Sequence, residues 1–251
     1  MHTLAIGIHK GGTGKTTTVF NLAHELARSG RRVLMVDLDY QGSLTSMAGC
    51  TESPGHNITQ VMSGAPMRSV IQELRPNLAI VPGDIELADA ELALSAKIGR
   101  ETQLRRALAY VANDYDVTLL DCPPSLSVMT VNGLTAAQSV IVPLQPTSTD
   151  LRALELFLQT IETVRTQINP ALHLMGVILT FFDGRYGLHA DAVKALEDAG
   201  LHIVGTVGRS VKVAEAASAH KPISEYEPGN PQTASYQQLG EAVNAWLNDH
   251  S

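Results

Sequence analysis

One loop decides most of what this chain can fold into. The residues Ile8-His9-Lys10-Gly11-Gly12-Thr13-Gly14-Lys15-Thr16-Thr17 follow an apolar run over 3–8 and open a helical pattern that reaches about Ser29. A strand, a glycine-rich turn and a helix N-terminus in that order make a cradle in which backbone N–H groups converge on an anion, and the helix dipole adds partial positive charge there. In such a cradle Lys15 is placed for β- and γ-phosphates and the Thr16 hydroxyl for Mg²⁺. The usual pattern G-x-x-x-x-G-K-[ST] would put glycine at position 9, where this chain has His9, and a second lysine, Lys10, opens the loop. A surface lysine is ordinarily a solvated charge. Beside a bound triphosphate it is a further cation, able to act in its own site or to reach a neighbour's.

The rest of the chain suits an α/β protein built around that loop. A chain of 251 residues buries about 75% of its unfolded surface as one domain. Its charged fraction of 17% lies below the roughly 25% of ordinary soluble domains, which argues against a hidden charged tail. No apolar run approaches the ~20 residues of a membrane span, and the first strand begins too early to leave room for a signal peptide. Cys50 and Cys122 are too few for a disulfide framework, so a reducing cytosol is the expected setting. The net charge of -7 restricts any nucleic-acid contact to a local basic patch.

Strand-like runs recur at 3–8, 33–37, 78–81, 117–121, 139–143, 174–180 and 203–207, mostly as continuous apolar stretches of the kind found in strands covered on both faces. Helical patterns lie between them at 15–29, 85–96, 100–112, 127–137, 150–168, 189–199 and 233–248. This alternation predicts a three-layer α/β fold, a mostly parallel twisted sheet with helices on both faces and a crevice at the strands' carboxyl ends. Residues 49–66 are the loosest stretch and read as a surface insertion within a single domain spanning 1–251.

Carboxylates stand at the ends of two strands. Asp37 and Asp39 are two residues apart in an extended chain and so share a side. If their strand lies beside the first, they face the γ-phosphate; otherwise they are a solvated turn. Asp121 ends the apolar run 117–121, where a carboxylate can hold Mg²⁺ directly or through water. Asp150, near a helix start, is first of all an N-cap or dipole partner. Cys122 has no cation nearby in sequence to lower its pKa and reads as a packed small side chain. The nine histidines show no metal-ligand spacing.

The string K-G-G-T-G-K-T-T resembles the deviant Walker A box of the ParA/MinD family of ATPases. Asp37-Leu38-Asp39-Tyr40-Gln41-Gly42-Ser43 is similar to that family's D-x-D-P-Q-x-[NS], with Tyr40 in place of the common proline, and Asp121-Cys122-Pro123-Pro124 to its D-C-P-P box. The segment Gly99-Arg100-Glu101 and the helix after it resemble small Soj-like ParA proteins. Thr180-Phe181-Phe182-Asp183 and Thr206-Val207-Gly208-Arg209-Ser210 resemble the two stretches that flank the base, with Gly208 where the family usually has proline. The run from Arg209 to Ile223 resembles P-R-N-x-x-x-x-E-A-x-x-x-x-K-P-I.

The resemblance implies ATP and Mg²⁺ as ligands. The phosphate loop from Lys10 to Thr17 (with Gly11, Gly12, Thr13, Gly14, Lys15 and Thr16) would bind nucleotide. Thr180, Phe181, Val207, Gly208 and Ser210 would surround the base, and Thr16, Asp37 and Asp121 would serve the metal. Lys15 and Asp39 would act in hydrolysis, Asp39 on the attacking water, while Lys10 would reach the nucleotide of a partner subunit in an ATP-bound homodimer. Gln41 would belong to the switch that senses the γ-phosphate, and Asp150 would lie along the dimer face. Arg209, Lys212 and Lys221 would meet DNA without sequence preference, the alternative being ordinary solvated cations. A ParB-like protein would stimulate turnover, and the protein would be cytoplasmic and nucleoid-associated. The absence of Lys and Arg beyond Lys221 speaks against a basic amphipathic membrane tether at the C-terminus. Two cysteines do not match the cluster-sharing iron proteins of the same family. A chain starting at the first strand implies no helix-turn-helix extension. Two other readings stay open: positioning of another cargo by the same ATPase, and a P-loop ligase or kinase of the dethiobiotin-synthetase kind, against which Lys10 argues.

Overall fold

The computed structural model describes residues 1–50 and 55–250. The elements run β1 (His2–Ile6), α1 (Lys15–Arg28), β2 (Val33–Asp37), α2 (Ser43–Met47), α3 (Ile58–Ser63), β3 (Gln72–Arg75), β4 (Leu78–Val81), α4 (Leu87–Ser95), α5 (Gln103–Ala109) and β5 (Val117–Asp121) in the first half. There follow α6 (Val128–Ala136), β6 (Ser139–Leu144), α7 (Ser148–Gln167), β7 (His173–Phe182), α8 (Gly187–Asp198), β8 (Ile203–Gly208), α9 (Val211–Ser218), α10 (Ile223–Tyr226) and α11 (Pro231–Asp249). The strands form one eight-stranded sheet in the order β3-β4-β2-β5-β1-β6-β7-β8. Only β3 runs antiparallel to its neighbour; the other pairings are parallel.

Alternate residues of the strands feed two cores. Leu4 and Ile6 point to the side where Phe20, Leu22 and Leu26 of α1 meet Tyr236, Leu239 and Val243 of α11. Ala5, Leu34 and Val36 point to the opposite side, against Leu104, Leu108, Leu134 and Phe157 from α5, α6 and α7. Central strands buried on both faces explain why their sequences are continuously apolar. Each fully buried large aliphatic side chain contributes about 1.5–3 kcal/mol.

Three features differ from the sequence-based expectation. β2 is not beside β1: β5 lies between them, pairing Ile6 with Asp121 on one side and Asp37 with Asp121 on the other. The acidic strand ends still converge, because register places Asp37 and Asp121 opposite each other. The stretch 49–66 is not wholly a surface insertion, since Ile58, Val61 and Met62 of α3 are buried in the core; residues 51–54 of it lie outside the described residues. The short strand β3 and helices α2, α9 and α10 have no counterpart among the expected elements.

Candidate functional site

The site is assembled where β1, β2, β5 and β6 end. Gly14 takes φ 81°, a left-handed conformation open to glycine, and starts α1 with no side-chain cap and no acidic residue in the first turn. The first N–H groups of α1 are therefore left for a ligand. The loop's own carbonyls are tied back: Gln145 Nε2 donates to the Gly12 oxygen at 2.8 Å and the Thr180 hydroxyl to the Thr13 oxygen at 2.8 Å.

The two lysines of the loop are held differently. Lys15 is 7% exposed and its Nζ donates to the Lys10 carbonyl at 2.7 Å. Burial lowers its pKa, and the nearby carboxylates of Asp121 and Asp39 oppose that fall. Lys10 instead turns out of the loop. Its ammonium donates to Asp150 and, at 2.9 Å, to the Thr149 hydroxyl. Asp150 is 1% exposed and also accepts from the Thr147 hydroxyl at 2.5 Å and from the Gln145 N–H at 3.3 Å. Thr147, not Asp150, is the N-cap of α7, while Asp150 is the acidic residue of the first turn, as expected for a dipole partner, and the buried counter-ion of Lys10. His9 sits edge-on against Phe157, ring centroids 4.8 Å apart.

Behind the loop stand the carboxylates. Asp37 accepts from the Thr45 N–H at 2.9 Å, the Thr45 hydroxyl at 2.8 Å and the Asp39 N–H at 3.2 Å. Thr45 in turn accepts from the Gly83 N–H at 2.8 Å. Asp37 thus anchors α2 and the turn that carries Asp39; burial pushes its pKa up to about 6 despite those donors. Asp39 is 9% exposed and accepts from the Gln41 N–H at 3.1 Å. Asp121 is the exception. It is 1% exposed, and among the described residues no donor meets ordinary hydrogen-bond geometry at either carboxylate oxygen, although the Thr16 hydroxyl and the Lys15 ammonium stand near enough to act on it. Burial first, then neighbouring Asp37, pushes its pKa well up, against weaker pulls from the Thr16 hydroxyl and the Lys15 ammonium. A buried carboxylate in this setting is relieved either by a proton or by a cation. The donors present are hard oxygens, from Asp121 and Thr16 with Asp37 behind them, and they suit Mg²⁺ that keeps part of its water shell. Burial and Asp121 push the Cys122 thiol up to about 12, which makes it the packed, inert side chain expected.

Beside the loop, Gly14, Thr17, Thr180, Phe181, Val207, Gly208 and Ser210, the residues expected to surround a base among them, line one apolar cavity of about 130 Å³. The three basic residues are less concentrated. Arg209 lies 5.8 Å from the Phe181 ring centroid, at the rim of that cavity. Lys212 pairs with Glu215 at 2.8 Å on α9, and Lys221 follows the far end of α9. Sequence reasoning missed Gln145 and Thr45, which shape the loop and the acidic turn. Gln145 directly follows the end of β6, a placement that could have pointed to it, whereas Thr45 lies inside α2 and carried no such signal.

Residues 1–174 match a family profile described as AAA domain. Over 245 residues the chain is 40% identical to the chromosome-partitioning ATPase Soj of Thermus thermophilus, covering 96% of this chain and 95% of that one. It is 37% identical to the sporulation initiation inhibitor protein Soj of Bacillus subtilis, covering 96% and 98%. A solved structure of cobyrinic acid a,c-diamide synthase from Mycobacterium smegmatis, with bound ATP analog and magnesium, superposes with a TM-score of 0.82 at 33% identity, over 100% of this chain and 97% of that one. The phosphate loop, the acidic strand ends and full-length similarity agree: the chain belongs to the AAA-domain family, in its Soj/ParA group of partition ATPases.

Proposed function

We propose that this protein is a ParA-type partition ATPase that hydrolyses ATP with Mg²⁺ and pairs with a second copy over two nucleotides. The observation that carries this reading is the position of Lys10. Lys15 already supplies a buried ammonium inside the loop, whereas the Lys10 ammonium, its side chain 34% exposed, is parked on Asp150 at the loop's mouth. A second cation held there, outside its own cradle, is suited to crossing to a neighbour's triphosphate. Closing the dimer would exchange Asp150 for phosphate oxygen, so Asp150 holds Lys10 in reserve in the free subunit.

Within each site Lys15 and the α1 amides bind and orient the β- and γ-phosphates, and Asp39 orients the attacking water as its proton is lost. Mg²⁺, held through Asp121 and Thr16, would offset charge on the transferring phosphoryl group. Thr45 keeps Asp37, and through it the Asp39 turn, in place. A site completed only by a partner's lysine turns over slowly alone, which leaves room for a ParB-like stimulatory protein. The ligase or kinase reading, which requires a substrate pocket beside the γ-phosphate, has less behind it. The cavity behind His9, about 690 Å³, is walled by Leu126, Val128, Val131, Leu156 and Val164. Its one Lys or Arg is Arg100, which already pairs with Glu101.

The ATP-bound dimer would bind nucleoid DNA in the cytoplasm through Arg209, Lys212 and Lys221 of both subunits. Phosphate neutralisation has no sequence preference and weakens with salt. DNA retention should therefore require ATP, not ADP. Each phosphate that loses its cation lowers the salt slope by about 1, and Lys221→Ala should do so in each subunit. Retention that is independent of nucleotide, or a slope untouched by the substitution, would count against this surface.

A further inference from the structure

The cavity proposed for the base is bounded in part by Tyr236 of α11, a helix that no sequence motif connects with the nucleotide. One strained backbone position and one departure from the resembling sequences meet at the cavity's rim. Phe181, which lines the cavity, is held at φ 52°, a left-handed conformation strained for a bulky side chain and most often kept where a ligand needs it. Gly208 stands where the resembling sequences have proline, so it carries an N–H that proline lacks. That N–H donates to Oε1 of Gln232 at 2.8 Å. Gln232 lies in the first turn of α11, where Asn230 caps the helix by accepting from the Gln232 N–H at 3.0 Å. A Cβ on Gly208 would stand 3.1 Å from Gln232 Nε2 and 3.3 Å from Oε1, so the amide is packed against the glycine itself. One turn along α11, Tyr236 lines the same cavity and is 2% exposed.

We propose that Gln232 is the positioning residue of the base pocket. Its side-chain oxygen holds the end of β8 at the spacing a nucleoside base needs, a constraint that a proline ring would otherwise impose through the backbone. Tyr236 fixes the floor from the same helix. This role presupposes the nucleotide site described above and adds to it a determinant of affinity for the base, as distinct from the phosphates.

Calorimetric titration of ATP, ADP and inorganic triphosphate, each with Mg²⁺, separates the two. Gln232→Met keeps the shape and removes the acceptor; Gln232→Glu keeps an acceptor. The Met variant should raise the Kd for ATP and for ADP alike by about three- to tenfold, the range expected for removal of one half-buried hydrogen bond. It should leave the Kd for triphosphate unchanged, and the Glu variant should bind close to wild type. An unchanged Kd for ATP, an equal loss for triphosphate, or a Glu variant as weak as Met would overturn the role. Wild-type protein that binds ATP no better than triphosphate would instead overturn the base pocket itself. Gly208→Ala gives an independent measure, because its Cβ presses on the Gln232 amide. Its penalty should shrink in a Gln232→Ala background, and additive penalties would contradict the coupling.

Discussion

Lys10 and Lys15 carry the same charge on one loop, yet their neighbours give them separate tasks. Removing Lys10 leaves the Asp150 carboxylate, 1% exposed, with donors but no cation. Lys10→Ala is therefore expected to destabilise the free protein by about 1–3 kcal/mol, less than a fully buried broken pair because the lysine is partly solvated. Asp150→Asn should cost less and should free Lys10, lowering the ATP concentration at which subunits pair. Urea midpoints and light scattering check the two effects. The carboxylates set a pH signature. Unfolded, Asp37 and Asp121 ionise near 4, but burial raises Asp37 to about 6 and Asp121 well above its usual range. As pH rises from about 4 through about 6, the unfolded chain loses protons that the folded site keeps, and these groups reduce stability. Burial lowers His2 and His24 to about 4, so their contribution is present above about 6.5 and lost as pH falls. The free protein's profile mixes these opposite slopes. Metal binding isolates the first, since it needs ionised carboxylates. Thermal stabilisation by Mg–ADP should shrink on going from about pH 7.5 to about pH 5.5, and equal stabilisation at both would contradict the proposed metal site.

At the scale of elements, the sheet depends on a few backbone positions. Gly176 in β7 takes φ 151°, and a Cβ there would run into the His202 carbonyl oxygen at the start of β8. Gly176→Ala should cost about 3 kcal/mol or more and loosen the β7–β8 pairing, measurable as faster amide exchange in β8. Ser127 caps α6 by accepting from the Met129 N–H at 3.1 Å; Ser127→Ala should cost about 1 kcal/mol. Much of this architecture could be read in the chain, because a strand buried on both faces must be apolar throughout, and the phosphate loop must join a strand to a helix. The polar edge strand β3 gave no such signal: Gln72-Glu73-Leu74-Arg75 is paired on one side only. Strand order was hidden as well, so β5 between β1 and β2 appears only in the folded sheet. In the site, Lys15, Asp39 and Asp121 were visible as motif residues. The partners that hold the motifs were not, since Lys10–Asp150 and Gly12–Gln145 are contacts between distant segments with no local pattern.

For the whole molecule, the central claim is that a subunit stores a cation on its own Asp150 and completes its chemistry only by giving that cation to a second copy. Size-exclusion chromatography with light scattering tests this most directly, using Asp39→Ala to slow hydrolysis, alone and combined with Lys10→Ala. The account expects Asp39→Ala to be monomeric with ADP and dimeric with Mg–ATP, and the double variant to remain monomeric while still binding ATP through Lys15. Dimers that form equally well with ADP, or that persist with ATP after Lys10 is removed, would contradict it.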